Sequence, residues 1–127
     1  IGLNNMKIGR LAGWMITKTV HQPGKLAIFV GGNRWHGHDL REVGYRSFVR
    51  ESDLGFTVLD TLVNLETRQV TYEVTLDLLQ RHPDLRGIYI AGGGMEGCFA
   101  FGDRIVNKWQ YLGIDVVVAW HEYAAFS

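Results

Sequence analysis

The sequence predicts an α/β domain, a doubly wound three-layer sandwich around a parallel sheet. Three observations carry that expectation. Apolar runs of strand length alternate with stretches of helical periodicity, in the order α-β-α-β-α-β-α-β. The predicted strands are continuous apolar runs rather than alternating ones, as strands covered on both faces require. The connections are short and marked by Gly, Pro, Asn or Asp. At 127 residues, the chain has the size of one domain with one core.

Each element has its own signal. Met6, Ile8, Leu11 and Met15 recur at near-helical spacing, which predicts a helix over residues 5–20 capped by Asn4 or Asn5. After a turn at residues 21–24, the run Leu26-Ala27-Ile28-Phe29-Val30 reads as a buried strand ended by Gly31-Gly32. Residues 33–39 form a polar loop rich in His and Gly, and Leu40, Val43, Gly44, Phe48 and Val49 predict a second helix to about Glu51. A second strand is expected over 56–63. Val70, Val74, Leu78 and Leu79 mark a third helix over 67–81, stopped by His82-Pro83-Asp84. Residues 87–90 form a third strand that runs into Gly92-Gly93-Gly94, followed by a fourth helix over 96–112 with Gly113 past its end. A fourth strand is expected over 114–118. The first residue is Ile rather than Met, and a helix with no strand before it has no natural start in this architecture. Together these read as a piece of a longer protein.

Composition narrows the function classes. Thirteen Lys and Arg balance thirteen Asp and Glu, so this stretch lacks the positive charge that nucleic-acid binding draws on. A single cysteine, Cys98, excludes a disulfide framework and a multi-cysteine zinc site. No apolar run approaches the ~18 residues needed to cross a membrane, so no membrane partner is expected.

Ligands of open α/β sheets sit outside the carboxyl ends of the strands. The loops at that edge hold an unusual share of polar and aromatic residues: Asn33, Arg34, Trp35, His36 and His38 in one, Asn64, and His121 and Glu122 in others. Asn4 and Asn5 belong at the same edge. Gly92-Gly93-Gly94 before a helix is a backbone cradle, yet it matches neither a dinucleotide fingerprint nor a phosphate loop. A tight strand-to-helix turn is the simpler account. His36 and His38 have no carboxylate or thiol that clearly completes a ligand set with them, so histidines that hydrogen-bond a polar ligand or solvent are the simpler account. Cys98 with His121 is not a credible nucleophile and base, because Cys98 falls in a predicted helix beside Phe99 and Ala100, where a packed small apolar residue is the simpler account. No catalytic constellation, cofactor or metal is implied. Arg41 is more pointed: a cation in a first helical turn opposes the helix dipole, and a guanidinium there can fork two hydrogen bonds into hydroxyls or a carboxylate.

Several segments resemble the effector-binding domain of lac repressor-family regulators. The opening Ile1-Gly2-Leu3-Asn4-Asn5-Met6-Lys7-Ile8-Gly9 is similar to that family's V-G-x-D-N-x-x-x-G start of the C-terminal subdomain. Arg41-Glu42-Val43-Gly44-Tyr45 resembles its R-x-x-G-F helix, and residues 81–89 resemble its R-H-P-D-L-x-G-I-Y entry to a strand. The resemblance covers essentially the whole chain and implies the C-terminal lobe of a type I periplasmic-binding-protein-like fold. The implied protein is a cytoplasmic, non-enzymatic transcriptional regulator. In such a protein a sugar or polyol effector closes two lobes and shifts the population of a DNA-binding headpiece absent from this chain.

The resemblance also implies site residues. Arg41 matches the family's ligand-binding arginine, and Asn4 stands where many members have Asp. Trp35, with Arg34 or His36 beside it, occupies a second contact position, where an aromatic face suits a sugar. Gly93, Gly94 and Met95 match a third contact loop, and His121 stands near the family's last aspartate. Homodimerisation through the helix after the glycine loop would place Cys98, Phe101 and Gly102 at a partner. An alternative with the same fold is the periplasmic sugar-binding protein of an ABC transporter.

Overall fold

A computed structural model of the chain describes residues 4–20, 22–31, 38–63, 67–91 and 116–120. Its elements run α1 (Asn5–Thr19), β1 (Lys25–Val30), α2 (His38–Ser52), β2 (Thr57–Val58), β3 (Leu62–Val63), α3 (Arg68–Arg81), β4 (Leu85–Ile90) and β5 (Val117–Trp120). All strand pairings among the described residues are parallel. β1 lies between β4 on one side and the short β2 and β3 on the other, and β5 lies beyond β4. The predicted doubly wound parallel architecture is therefore what the chain adopts.

The apolar composition of β1 explains its central place. Leu26 through Val30 are fully buried, which no edge strand or one-sided sheet would allow. On one face, Leu26, Ile28 and Val30 meet Tyr89 and Ala91 of the β4 segment, with Ala12, Ile16, Tyr45 and Val49 from α1 and α2 above them. On the other, Ala27, Phe29, Ile88 and Ile90 pack with Leu78 of α3. Alternation along one strand thus sends consecutive residues into two separate cores.

α1 and α2 cross at backbone contact. A Cβ on Gly9 would strike the Arg41 carbonyl, and a Cβ on Gly44 would strike the Met6 carbonyl. Glycine is needed at both positions so that the two helices can touch. Gly13 meets the Phe48 ring one turn further on. α1 is capped by Asn4, whose Oδ1 accepts the Lys7 N–H at 3.1 Å. That settles the choice between Asn4 and Asn5.

Several boundaries differ from expectation, among them the start of β4, which lies at Leu85 rather than Gly87. α2 starts at His38 rather than near Leu40, with Asp39 in its first turn, where a carboxylate complements the helix dipole. The strand expected over 56–63 is two short pieces. Arg46 Nη2 donates to the Leu59 carbonyl at 2.7 Å and to Thr61 Oγ1 at 2.8 Å. Arg46 Nε also pairs with Glu42 at 3.1 Å, and the Thr61 hydroxyl donates to the same carboxylate. Arg46 thereby takes a main-chain carbonyl that the sheet ladder would otherwise use, and Asp60 lies in the gap rather than inside a strand. The last strand runs from Val117 to Trp120 rather than over 114–118, in register with Gly87 through Ile90 of β4. The predicted helix over 96–112 lies outside the described residues.

Candidate ligand-binding edge at the switch point of the sheet

Chain direction defines a special place on this sheet. From β1 the chain moves outward through α2 to β2 and β3, crosses back through α3 to β4, and then continues to β5 on the far side. The connections leaving β1 and β4 therefore diverge, so a crevice is expected outside their carboxyl ends. Gly31 and Ala91 are the first residues past those ends.

Arg41 occupies this point. It sits in the first turn of α2, half-buried, and its Nη1 donates to the Ala91 carbonyl at 2.7 Å. Its Nε donates to Asn5 Oδ1, at the start of α1, at 2.9 Å. Three elements thus converge on one guanidinium: the N-termini of α1 and α2 and the carboxyl end of β4. The two acceptors offset the cost of holding a cation at the positive end of a helix. Its third nitrogen, Nη2, has no hydrogen-bond partner among the described residues. A planar group bound at Nε and Nη1 cannot turn about its own axis, so the direction of Nη2 is fixed as well.

Beneath Arg41 lie two buried tyrosines. Tyr45 of α2 and Tyr89 of β4 have ring centroids 5.0 Å apart at a 42° tilt. Tyr45 Oη is 3.4 Å from the Ala27 carbonyl. Burial pushes both phenols far above their ordinary range; for Tyr89 the nearby Arg41 charge opposes part of that rise. Both stay neutral at physiological pH, packed in the core between the helices and the sheet.

Of the site residues named from sequence, the structure brings Asn4 and Arg41 to the same edge, with Asn5 between them. Asn4 is exposed, and its Oδ1 is engaged in capping. Trp35, His36, Gly93, Gly94, Met95 and His121 lie outside the described residues, as do Cys98, Phe101 and Gly102. Sequence reasoning missed the roles of Asn5 and the Ala91 carbonyl. Asn5 carried a signal, being a second Asn beside the cap, but a main-chain acceptor has no sequence signature.

A different concavity of about 360 Å³ runs between α1 and β5, lined by Ile8, Leu11, Met15, Tyr89, Val117 and Ala119 among others. Its apolar walls offer a polyol almost nothing to hydrogen-bond. Among the described residues no three His, Cys, Asp or Glu gather as a metal site, and no helix is long and apolar enough to cross a membrane.

Comparison with solved structures agrees with the fold. GanP, a glucose-galactose binding protein from Geobacillus stearothermophilus, superposes with a TM-score of 0.76 at 20% identity, covering 96% of this chain and 42% of GanP. AraP, an arabinose binding protein from the same organism, gives 0.74 at 19%, covering 92% and 39%. A solute-binding protein from Agrobacterium vitis bound to tagatopyranose gives 0.71 at 23%, covering 91% and 38%. The chain therefore spans about two fifths of the length of each of these structures. No curated protein matches it by sequence. The family model for the periplasmic binding protein domain matches residues 1–119, nearly the whole chain, and with the parallel sheet and its switch point this makes the chain a member of the periplasmic binding protein domain family.

Proposed function

We propose that this chain is the sugar-binding lobe of a solute-binding protein of the type that serves ABC transporters. The observation that carries the reading is the placement of Arg41, anchored by Asn5 and Ala91 at the switch point of a sheet in this family. Nη2 of Arg41 would donate to a sugar hydroxyl. Asn4 at the same edge would add an amide, with Trp35, His36, Gly93, Gly94, Met95 and His121 contributing from their loops. The fold-level neighbours support a carbohydrate ligand, since their names specify arabinose, glucose, galactose and tagatose. No reaction is catalysed, and binding works by enclosing the sugar against a second lobe.

A thermal-shift series on the full-length protein with L-arabinose, D-galactose, D-glucose and D-xylose tests this. A ligand at about a hundred times its Kd should stabilise by about 2.7 kcal/mol, which is several degrees. A melting curve unmoved by every sugar contradicts the reading.

A second reading, the effector lobe of a lac repressor-type regulator, is favoured by the segments Arg41-Glu42-Val43-Gly44-Tyr45 and 81–89. It carries a cytoplasmic location, a DNA headpiece and a homodimer through Cys98, Phe101 and Gly102. The gene sequence upstream of Ile1 separates the two. An export signal supports the transporter protein, and a helix-turn-helix supports the regulator.

A further inference from the structure

We infer that Asn5 is a positioning residue for ligand binding, acting through Arg41; this rests on the sugar-binding reading above. Arginine has a long, flexible stem, and one that sits at the positive end of a helix is drawn toward solvent. Here it is tied at two nitrogens to two different elements. The Ala91 carbonyl fixes Nη1 to the sheet, and Asn5 Oδ1 fixes Nε to α1. One tie alone leaves a pivot, whereas two define the guanidinium plane and hence where Nη2 donates. Asn5 therefore sets the direction of a donor it does not itself supply.

The chemistry of the residue fits the task. A short side chain places its Oδ1 at 2.9 Å from Arg41 Nε across the contact between the two helices, a reach that a longer side chain would overshoot. The tie also needs α1 and α2 in contact near Arg41, which Gly9 provides by letting the Arg41 carbonyl approach it. Asn5 is not needed for the cap, because Asn4 performs it. Its side chain is thus committed to Arg41 rather than to helix stability, and this separates a positioning role from a structural one.

The test is calorimetric titration of the full-length protein with L-arabinose, D-galactose and D-glucose. It is run on the natural sequence and on Asn5→Ala, Asn5→Asp and Asn5→Gln, with ligand-free melting curves alongside. Asn5→Ala should weaken binding of the accepted sugar about tenfold or more, while the ligand-free Tm falls by the few degrees that loss of one hydrogen bond to a charged donor brings. Asn5→Asp keeps an acceptor at the same reach and should recover most of the affinity. Asn5→Gln moves the acceptor by one methylene and should not. If Asn5→Ala fails to fold, the contrast between Asp and Gln decides. Equal affinity for the natural sequence and Asn5→Ala, or for Asp and Gln, overturns the inference while leaving sugar binding intact. Absence of binding by the natural sequence overturns the sugar reading, and the inference falls with it.

Discussion

Arg41 carries a positive charge into the first turn of α2, and its surroundings explain why it is tolerated there. Hydrogen bonds to a charged donor contribute about 1.5–3 kcal/mol when well made, and Arg41 makes two at 2.7 and 2.9 Å. The helix dipole opposes the charge by up to about 1 kcal/mol at a partly exposed site, so the acceptors win. The unusual position was legible in the sequence, but its partners were not. Asn5 was visible as a polar residue at the right edge, while the Ala91 carbonyl belongs to a residue without side-chain polarity. The tyrosines below carry a pH signature. A phenol whose pKa is raised by folding keeps its proton after the unfolded chain has lost it, so stability is unaffected below the ordinary value near 10 and falls as pH rises beyond it. In an alkaline titration, the phenolate absorbance of Tyr45 and Tyr89 should therefore appear only together with loss of the far-ultraviolet circular dichroism signal. Tyr45→Phe should remove one tyrosine's share of that late step; ionisation of both phenols before unfolding would contradict their burial.

Elements of this fold were legible in proportion to how local their causes are. α1 and α3 follow from periodicity and β1 from an apolar run, and they appear within a residue or two of expectation. The edge strand was not legible as two pieces. What splits it is a group of side chains 13 to 19 residues away in sequence, with Arg46 bonded to Leu59 and Thr61, and Glu42 to Thr61. The Glu42–Arg46 spacing itself is readable as an i,i+4 pair, but its grip on the neighbouring strand is tertiary. The crossing of α1 and α2 makes a sharper test. A methyl group on Gly44 would meet the Met6 main-chain carbonyl, a rigid neighbour rather than the end of a flexible side chain. Gly44→Ala should cost about 1–3 kcal/mol by overpacking, despite the better helix propensity of alanine. Urea denaturation checks this, and an unchanged or raised midpoint would contradict the contact between the helices.

The molecule as a whole brings its chemistry to one edge. α1 and α2 cover one face of the sheet and α3 the other. The divergence of connections between β1 and β4 opens the carboxyl edge where Asn4, Asn5, Arg41 and Ala91 meet. Fold class was readable from alternation alone, and the family match over residues 1–119 agrees with it. The choice between transporter protein and regulator was not readable in the same way, since both use this lobe and the chain spans about two fifths of its solved neighbours. The apolar groove along α1 and β5 offers a competing location for a ligand, and location is therefore the decisive question. Backbone amide chemical shifts of the isotope-labelled full-length protein, followed during titration with the sugar that gives the largest thermal shift, answer it most directly. The largest perturbations are expected at Asn4, Asn5, Arg41 and Ala91, with residues along the groove from Leu11 to Met15 and at Val117 little affected; the reverse pattern, or no perturbation at the carboxyl edge, would contradict ligand binding at Arg41.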